Sequence, residues 1–244
     1  FEMPSGEETV TDYVDFETPV RPASSVIEIG PPLKGGPWAV FNGPSNTTGH
    51  RRAALQLHGR SAFAQRYAMD YMLLDAGGRA EPVEGGGNET YPSYRQEVIA
   101  VADGVITTVF DGVPENTPGV TSRPEVFNLS TAIGNHVILD LGNGHFALYA
   151  HLLPGSIPVR VGQQVRRGDV LGQVGNSGNS GGPHLHFHIV DDNVPLGAEG
   201  LPYGHDAFEL LGSCGETLGQ CTVGEGELRQ HETPMQNHVV RFPG

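Results

Sequence analysis

Residues 135–152 read NHVILDLGNGHFALYAHL. Two runs rich in Val, Ile, Leu, Phe and Tyr flank Gly142-Asn143-Gly144, a turn sequence that supplies residues tolerant of positive φ. This predicts a β-hairpin. Working outward, the same pattern recurs in WAVFNG from Trp38, AALQLHG, YAMDYMLL, EVIAVADGVITTVF, VRVGQQV, DVLGQVG and HLHFHIV. Each is a short β-branched or aromatic run, and most are bounded by Gly, Asn, Asp or Pro. No segment sustains a helical period over three turns. The fold class is therefore all-β, an antiparallel two-sheet sandwich or open barrel.

The 244 residues include 35 Gly and 19 Pro, which suits many turns and few long helices. The formal net charge is −14, a poor basis for gripping a phosphate backbone, so no nucleic-acid partner is expected. No run of 18 apolar residues exists, so no membrane-spanning helix is expected. Beginning at Phe1 without a Met or an apolar leader, the sequence is expected to be a processed or trimmed chain. Cys214 and Cys221 enclose a short Gly-containing loop that a disulfide could close. Two free thiols or half of a metal site are the other readings, although a four-Cys zinc site is excluded. A disulfide implies an oxidising compartment.

Residues 1–36 read as an extended, acidic, Pro-rich arm with one or two strands. Residues 37–195 hold the strand-rich domain, and 196–244 an irregular C-terminal extension carrying the Cys pair. Polar, turn-rich inserts at 76–95 and 111–130 interrupt the strands and have the length of lids or walls.

Eleven histidines are present, three of them in His184-Leu185-His186-Phe187-His188. On a strand the three imidazoles share one face while Leu185 and Phe187 point to the core. Two imidazoles at that spacing can reach one divalent cation, and the preceding small-residue loop 175–183 lets a ligand approach. His151 ends the run Tyr149-Ala150-His151-Leu152. Asp70, in Arg66-Tyr67-Ala68-Met69-Asp70-Tyr71, is a carboxylate on an apolar run, read as facing the same side as Arg66 and Ala68. Buried, it needs a cationic partner or a metal.

Together these elements resemble the lysostaphin/LytM-type zinc metallopeptidases, which cut peptide cross-links of bacterial cell walls. The resemblance is carried by Leu148-Tyr149-Ala150-His151-Leu152 and Gly182-Pro183-His184-Leu185-His186-Phe187, with Val161–Val165 and Gly168–Gly172 between them, and spans about residues 64–190. It implies the fold of that family within 37–195 and a zinc endopeptidase, secreted or periplasmic in a bacterium; a monomer is expected. Its substrate would be a peptide, either a peptidoglycan cross-link or a Gly-rich segment. It also implies Asp70 and His186 as metal ligands and His151 and His184 as the two histidines that serve the water and the developing oxyanion. Arg66, Tyr149 and Asn179 are taken as substrate-binding.

The sequence departs from the family where H-x-x-x-D should begin, because position 66 is Arg, which stays protonated and cannot ligate zinc. Beside Asp70 it could instead form an ion pair with the carboxylate. His188 would complete an Asp/His/His set; His50 and His58 are the alternatives. A metal-free relative that binds or regulates without reaction is the remaining reading. His205 is expected to reach the cleft as a wall. His136 and His145 are expected to be surface or packing residues, and His231 and His238 tail residues.

Overall fold

The computed structural model describes residues 2–5, 8–11, 26–57, 60–82, 86–119, 131–215 and 220–244. It is all-β, with open sheets. Among the described residues, strands β1 (Glu2–Ser5) and β2 (Glu8–Thr11) pair only with each other. β3 (Ile27–Ile29) and β4 (Gly35–Phe41) follow, then one helical turn, α1 (Gly49–Arg52), and the small hairpin β5 (Leu55–Leu57) and β6 (Arg60–Ala62). Next come β7 (Met69–Leu73), β8 (Glu97–Ile99), β9 (Gly104–Phe110), β10 (Asn135–Gly142), β11 (His145–Leu152), β12 (Gln164–Val165) and β13 (Val170–Gln173). The chain closes with β14 (Leu185–Val190), β15 (Gly200–Leu201), β16 (Tyr203–Cys214), β17 (Cys221–Glu232) and β18 (His238–Phe242).

The main sheet runs β12-β9-β10-β11-β14-β7-β4-β18-β16-β17, with β3 added to β16 and β15 to β14. The expected hairpin is β10–β11. Asn143 and Gly144 both take positive φ, 56° and 74°, which is the twist a two-residue hairpin turn needs.

Alternation decides which face is dry. Val137, Leu139, Ala147, Tyr149, Leu185, Phe187, Met69, Tyr71 and Val40 point to one face. There they pack against Val98, Ala100, Leu171 and Val174 of the β8–β13 layer. The opposite face carries Ile138, Leu148 and Ala150 in one cluster and Ala39, Met72 and Val239 in another. Between these two clusters lie Asp70, His186 and His188, all buried.

The segment from 196 on, expected to be irregular, is strand. β16 and β17 are twelve residues each, and β18 inserts between β16 and β4. The pattern was hard to read because β17 is exposed along nearly its whole length and carries no apolar alternation. A disulfide joins Cys214 to Cys221, partners at the tip of that hairpin.

Candidate metal and catalytic site

Register brings the site together at the centre of the main sheet. His186 on β14 lies opposite Asp70 on β7, and Asp70 in turn lies opposite Phe41 at the end of β4. On the other side of β14, Ala150 faces His186, which leaves His151 one residue beyond. Strict alternation would send His151 to the Tyr149 face. A φ of +62° at His151 breaks the alternation and turns the ring into the cleft, 4.8 Å from the His184 ring and 5.6 Å from that of His186 between centroids. Left-handed backbone at a non-glycine residue is uncommon, and such conformations concentrate at functional sites.

His50, Asp70 and His186 each offer one ligand atom, and these atoms lie within 4.8 Å of one another. His50 comes from α1, which the chain after β4 lays over the cleft. Its Nδ1 lies 3.0 Å from the Asn42 carbonyl oxygen and its Nε2 3.6 Å from Asp70 Oδ2. Asn42 also donates its Nδ2 proton to Asp70 Oδ2 at 2.8 Å. His186 Nδ1 lies 2.9 Å, and His184 Nε2 3.5 Å, from Asp70 Oδ1.

The tautomers follow from the partners. A carbonyl oxygen only accepts, so a ring nitrogen bonded to one must carry the proton. That holds for Nδ1 of His50 on Asn42, of His151 on Ser177 at 2.8 Å and of His184 on Gly182 at 2.8 Å. In the neutral ring each Nε2 is then left with a lone pair. Burial alone would push the Asp70 carboxyl up, but the attraction of His50, His184 and His186 outweighs it and holds the group well below the usual carboxylate range. Burial first, then the neighbouring imidazoles, pushes His151 well down; His186 is also lowered, by burial above all and against the pull of Asp70. Burial therefore favours neutral rings at His151 and His186 beside the Asp70 carboxylate. A neutral ring's Nε2 lone pair turned towards the Asp70 carboxylate is offset when a cation lies between them, and a carboxylate with two imidazoles is a donor set that fits a divalent ion.

The loop that holds His151 and His184 is buttressed from the 111–130 insert. Glu115 accepts from Asn176 N at 3.0 Å, while Asn116 Nδ2 donates to the carbonyls of Gly178 (2.8 Å) and Ser180 (3.0 Å). A groove of about 670 Å³ opens over Asp70 and His184. Glu81 of the first insert, Gly181 and Gly182 line it as the sequence suggested, together with Gln236 and Asn237 from the C-terminal extension.

Several sequence-based expectations are corrected. Arg66 does not approach Asp70. It sits in a turn before β7, not on the strand, so alternation does not apply to it. Its guanidinium pairs with Glu199 at 2.7 Å and lies 4.7 Å over the Phe63 ring. Tyr149 is fully buried in the core, where its hydroxyl accepts from Val101 N at 2.9 Å, so it is not available to a substrate. His188 shares the cleft face with His184 and His186 but stands behind His186, with its Nδ1 2.9 Å from His186 Nε2. The structure groups His50, not His188, with Asp70 and His186. His205 is buried on the other face of β7, bonded to Tyr71, and walls no cleft. Asn179 is exposed on the loop beside the cleft, anchored through its backbone N–H to Ala132. His58 lies outside the described residues, as does 120–130 of the second insert. Asn42 was not anticipated; its only sequence signal is the Asn-Gly step that ends β4.

Residues 87–197 match the family model described as Peptidase family M23. That range holds His151, His184, His186 and His188 but not His50 or Asp70. Peptidoglycan DD-endopeptidase ShyA of Vibrio cholerae is 36% identical over 89 residues, 35% of this chain and 20% of that protein. DD-carboxypeptidase/endopeptidase Mpg of Neisseria meningitidis is 35% identical over 106 residues, 42% of this chain and 24% of that protein. The matched stretch thus spans only about a fifth to a quarter of these relatives' length. Among solved structures, the catalytic domain of lysostaphin from Staphylococcus simulans is 19% identical, covering 67% of this chain and 86% of that one, with a TM-score of 0.37.

Proposed function

With an M23 peptidase domain at residues 87–197 as the premise, we propose that the protein is a zinc-dependent endopeptidase acting on peptidoglycan cross-links or related Gly-rich peptides outside the bacterial cytoplasm. The observation that carries the metal is the convergence of Asp70 with His50 and His186, whose ligand atoms lie within 4.8 Å of one another. Zinc held by these three residues would supply Lewis acidity and lower the pKa of water at the site. Every other role falls to the chain itself. His151 and His184, proton-bearing at Nδ1 and open at Nε2, can take a proton from the attacking water and present one to the leaving amine. The proton then shuttles at Nε2, while the Ser177 and Gly182 carbonyls keep each ring from rotating away. Protonated, either ring also stabilises negative charge on the reacting carbonyl oxygen. The open groove with Gly181 and Gly182 in its wall suits an extended peptide with small residues near the scissile bond.

The one feature favouring a metal-free binding protein was Arg66, and its pairing with Glu199 leaves Asp70 free. The Cys214–Cys221 disulfide supports an oxidising, extracytoplasmic location. Elemental analysis of protein purified without chelator should find about one zinc per chain, and His50→Ala should bring it close to none, with loss of cross-link cleavage. Wild-type protein that neither carries zinc nor takes it up on soaking would defeat the proposal.

A further inference from the structure

His188 is buried at 0% exposure, on the face of β14 that builds the site, one ring behind a ligand. Its Nδ1 lies 2.9 Å from His186 Nε2, with the rings edge to face at 89°. The nitrogen of His186 that faces Asp70 is Nδ1. A neutral imidazole has one proton to place. On Nδ1, the carboxylate takes it and that nitrogen is closed to a cation. On Nε2, an acceptor must lie behind the ring and Nδ1 is open. We propose that His188 is a positioning residue for the metal centre: its Nδ1 accepts the Nε2 proton of His186 and so holds His186 in the tautomer whose Nδ1 lone pair faces Asp70. The inference rests on the metal-site reading above.

Two observations support an acceptor role over packing. Metal-bound histidines as a rule give their second N–H to a fixed partner, which also sets ring orientation. And His188 is maintained at a cost an apolar residue would avoid. Its own Nε2 is buried without a hydrogen-bond partner; the Pro195 backbone attracts its proton but does not reach bonding geometry.

The test is zinc affinity, measured by competition with a chromophoric chelator, for wild type, His188→Leu and His188→Asn. Leu fills the space without an acceptor, and the Asn carbonyl restores an acceptor near the Nδ1 position. Leu should raise the zinc Kd about 10- to 100-fold, and Asn should recover most of that. Melting of the chelator-treated proteins should not follow the same order, because Leu removes the orphaned nitrogen. In zinc-loaded wild type, the ¹⁵N shifts of His186 should show a protonated Nε2 bonded to His188; this measurement stands even if the Leu variant does not fold. Zinc binding by Leu equal to wild type, Asn no tighter than Leu, or an unprotonated His186 Nε2 each overturns the inference while leaving the metal site intact. A wild-type protein that takes up no zinc overturns both.

Discussion

Strand β7 carries two buried polar clusters, one on each face, and they are built to different rules. On one face Asp70 meets His50, His184 and His186, with His151 and His188 beyond. On the other, Tyr71 donates its hydroxyl proton towards His205 Nε2 at 3.0 Å, and His205 Nδ1 gives its proton to the Gly30 carbonyl at 3.1 Å. Both clusters hold fully buried imidazoles. In the Tyr71 cluster both ring nitrogens of His205 have a partner of the opposite kind, so the network is closed. In the Asp70 cluster one carboxylate draws in more ring nitrogens than it can bond, with His50 Nε2 at 3.6 Å and His184 Nε2 at 3.5 Å left short of bonding geometry under an open groove. Buried histidine alone therefore says little. What separates a site from a clasp is whether donors and acceptors cancel within the protein.

If that distinction is right, the largest effect on catalysis that leaves the metal in place should come from His184. Replacing it with Ala removes a proton carrier but none of His50, Asp70 or His186. The expected result is a fall in kcat of about 10²- to 10⁴-fold with zinc content unchanged, measured by cross-link cleavage and elemental analysis in parallel. Unaltered turnover would remove His184 from the mechanism.

The next effect belongs to the other face and to stability alone. His205→Leu takes its donor from the Gly30 carbonyl and leaves the Tyr71 hydroxyl only Met69 Sδ, at 3.1 Å, at a cost of about 1–3 kcal/mol at pH 7, with zinc content unchanged. Burial lowers His205 to about 4, although Gly30 and Asp206 pull the other way. Between about 6.5 and about 4 the unfolded chain therefore binds a proton that the folded chain refuses, and stability falls as the pH falls. Across that window the single group contributes about 3 kcal/mol. His136, His151, His186 and His188 are also lowered by burial and act in the same direction. Denaturant titrations of chelator-treated protein should show the gap between wild type and His205→Leu closing from pH 7 towards pH 4. Parallel pH profiles would mean that His205 is not the closed, neutral clasp described.

The two faces also differ in how far the sequence reveals them. The apolar alternation of β10, β11 and β14 and the Asn143-Gly144 turn were legible, because period-2 patterning and turn chemistry are local. The shared face of His184, His186 and His188 was legible for the same reason, whereas Asp70 joined them only through the family resemblance, since nothing local pairs β7 with β14. His50 was weighed only as an alternative, since α1 is a single turn in a polar loop and nothing local points it at β7. His151 reached the cleft by a positive φ that a strand pattern does not encode. Tyr149 sits beside it in sequence yet faces the core, the price of reading function from adjacency on a pleated chain. Gln236 and Asn237 enter the groove because β18 docks beside β4, a pairing about 200 residues apart in sequence that only tertiary packing defines.

Arg66 offers the smallest effect and the sharpest check on the first face. It stands four residues before Asp70, where sequence alone would have it compete for that carboxylate. The structure gives it Glu199 instead, in a pair whose side chains are 36% and 39% exposed. Partly exposed pairs of this kind contribute about 0–1 kcal/mol, and the guanidinium also covers the Phe63 ring. Arg66→Met keeps the stem and removes the charge. Zinc affinity and turnover should stay within about twofold of wild type, with stability lowered by no more than about 1 kcal/mol. A large rise in zinc affinity would mean that the guanidinium does reach Asp70 in solution. It would also place the arginine, not the closing of donors against acceptors, in control of the difference between the two faces of β7.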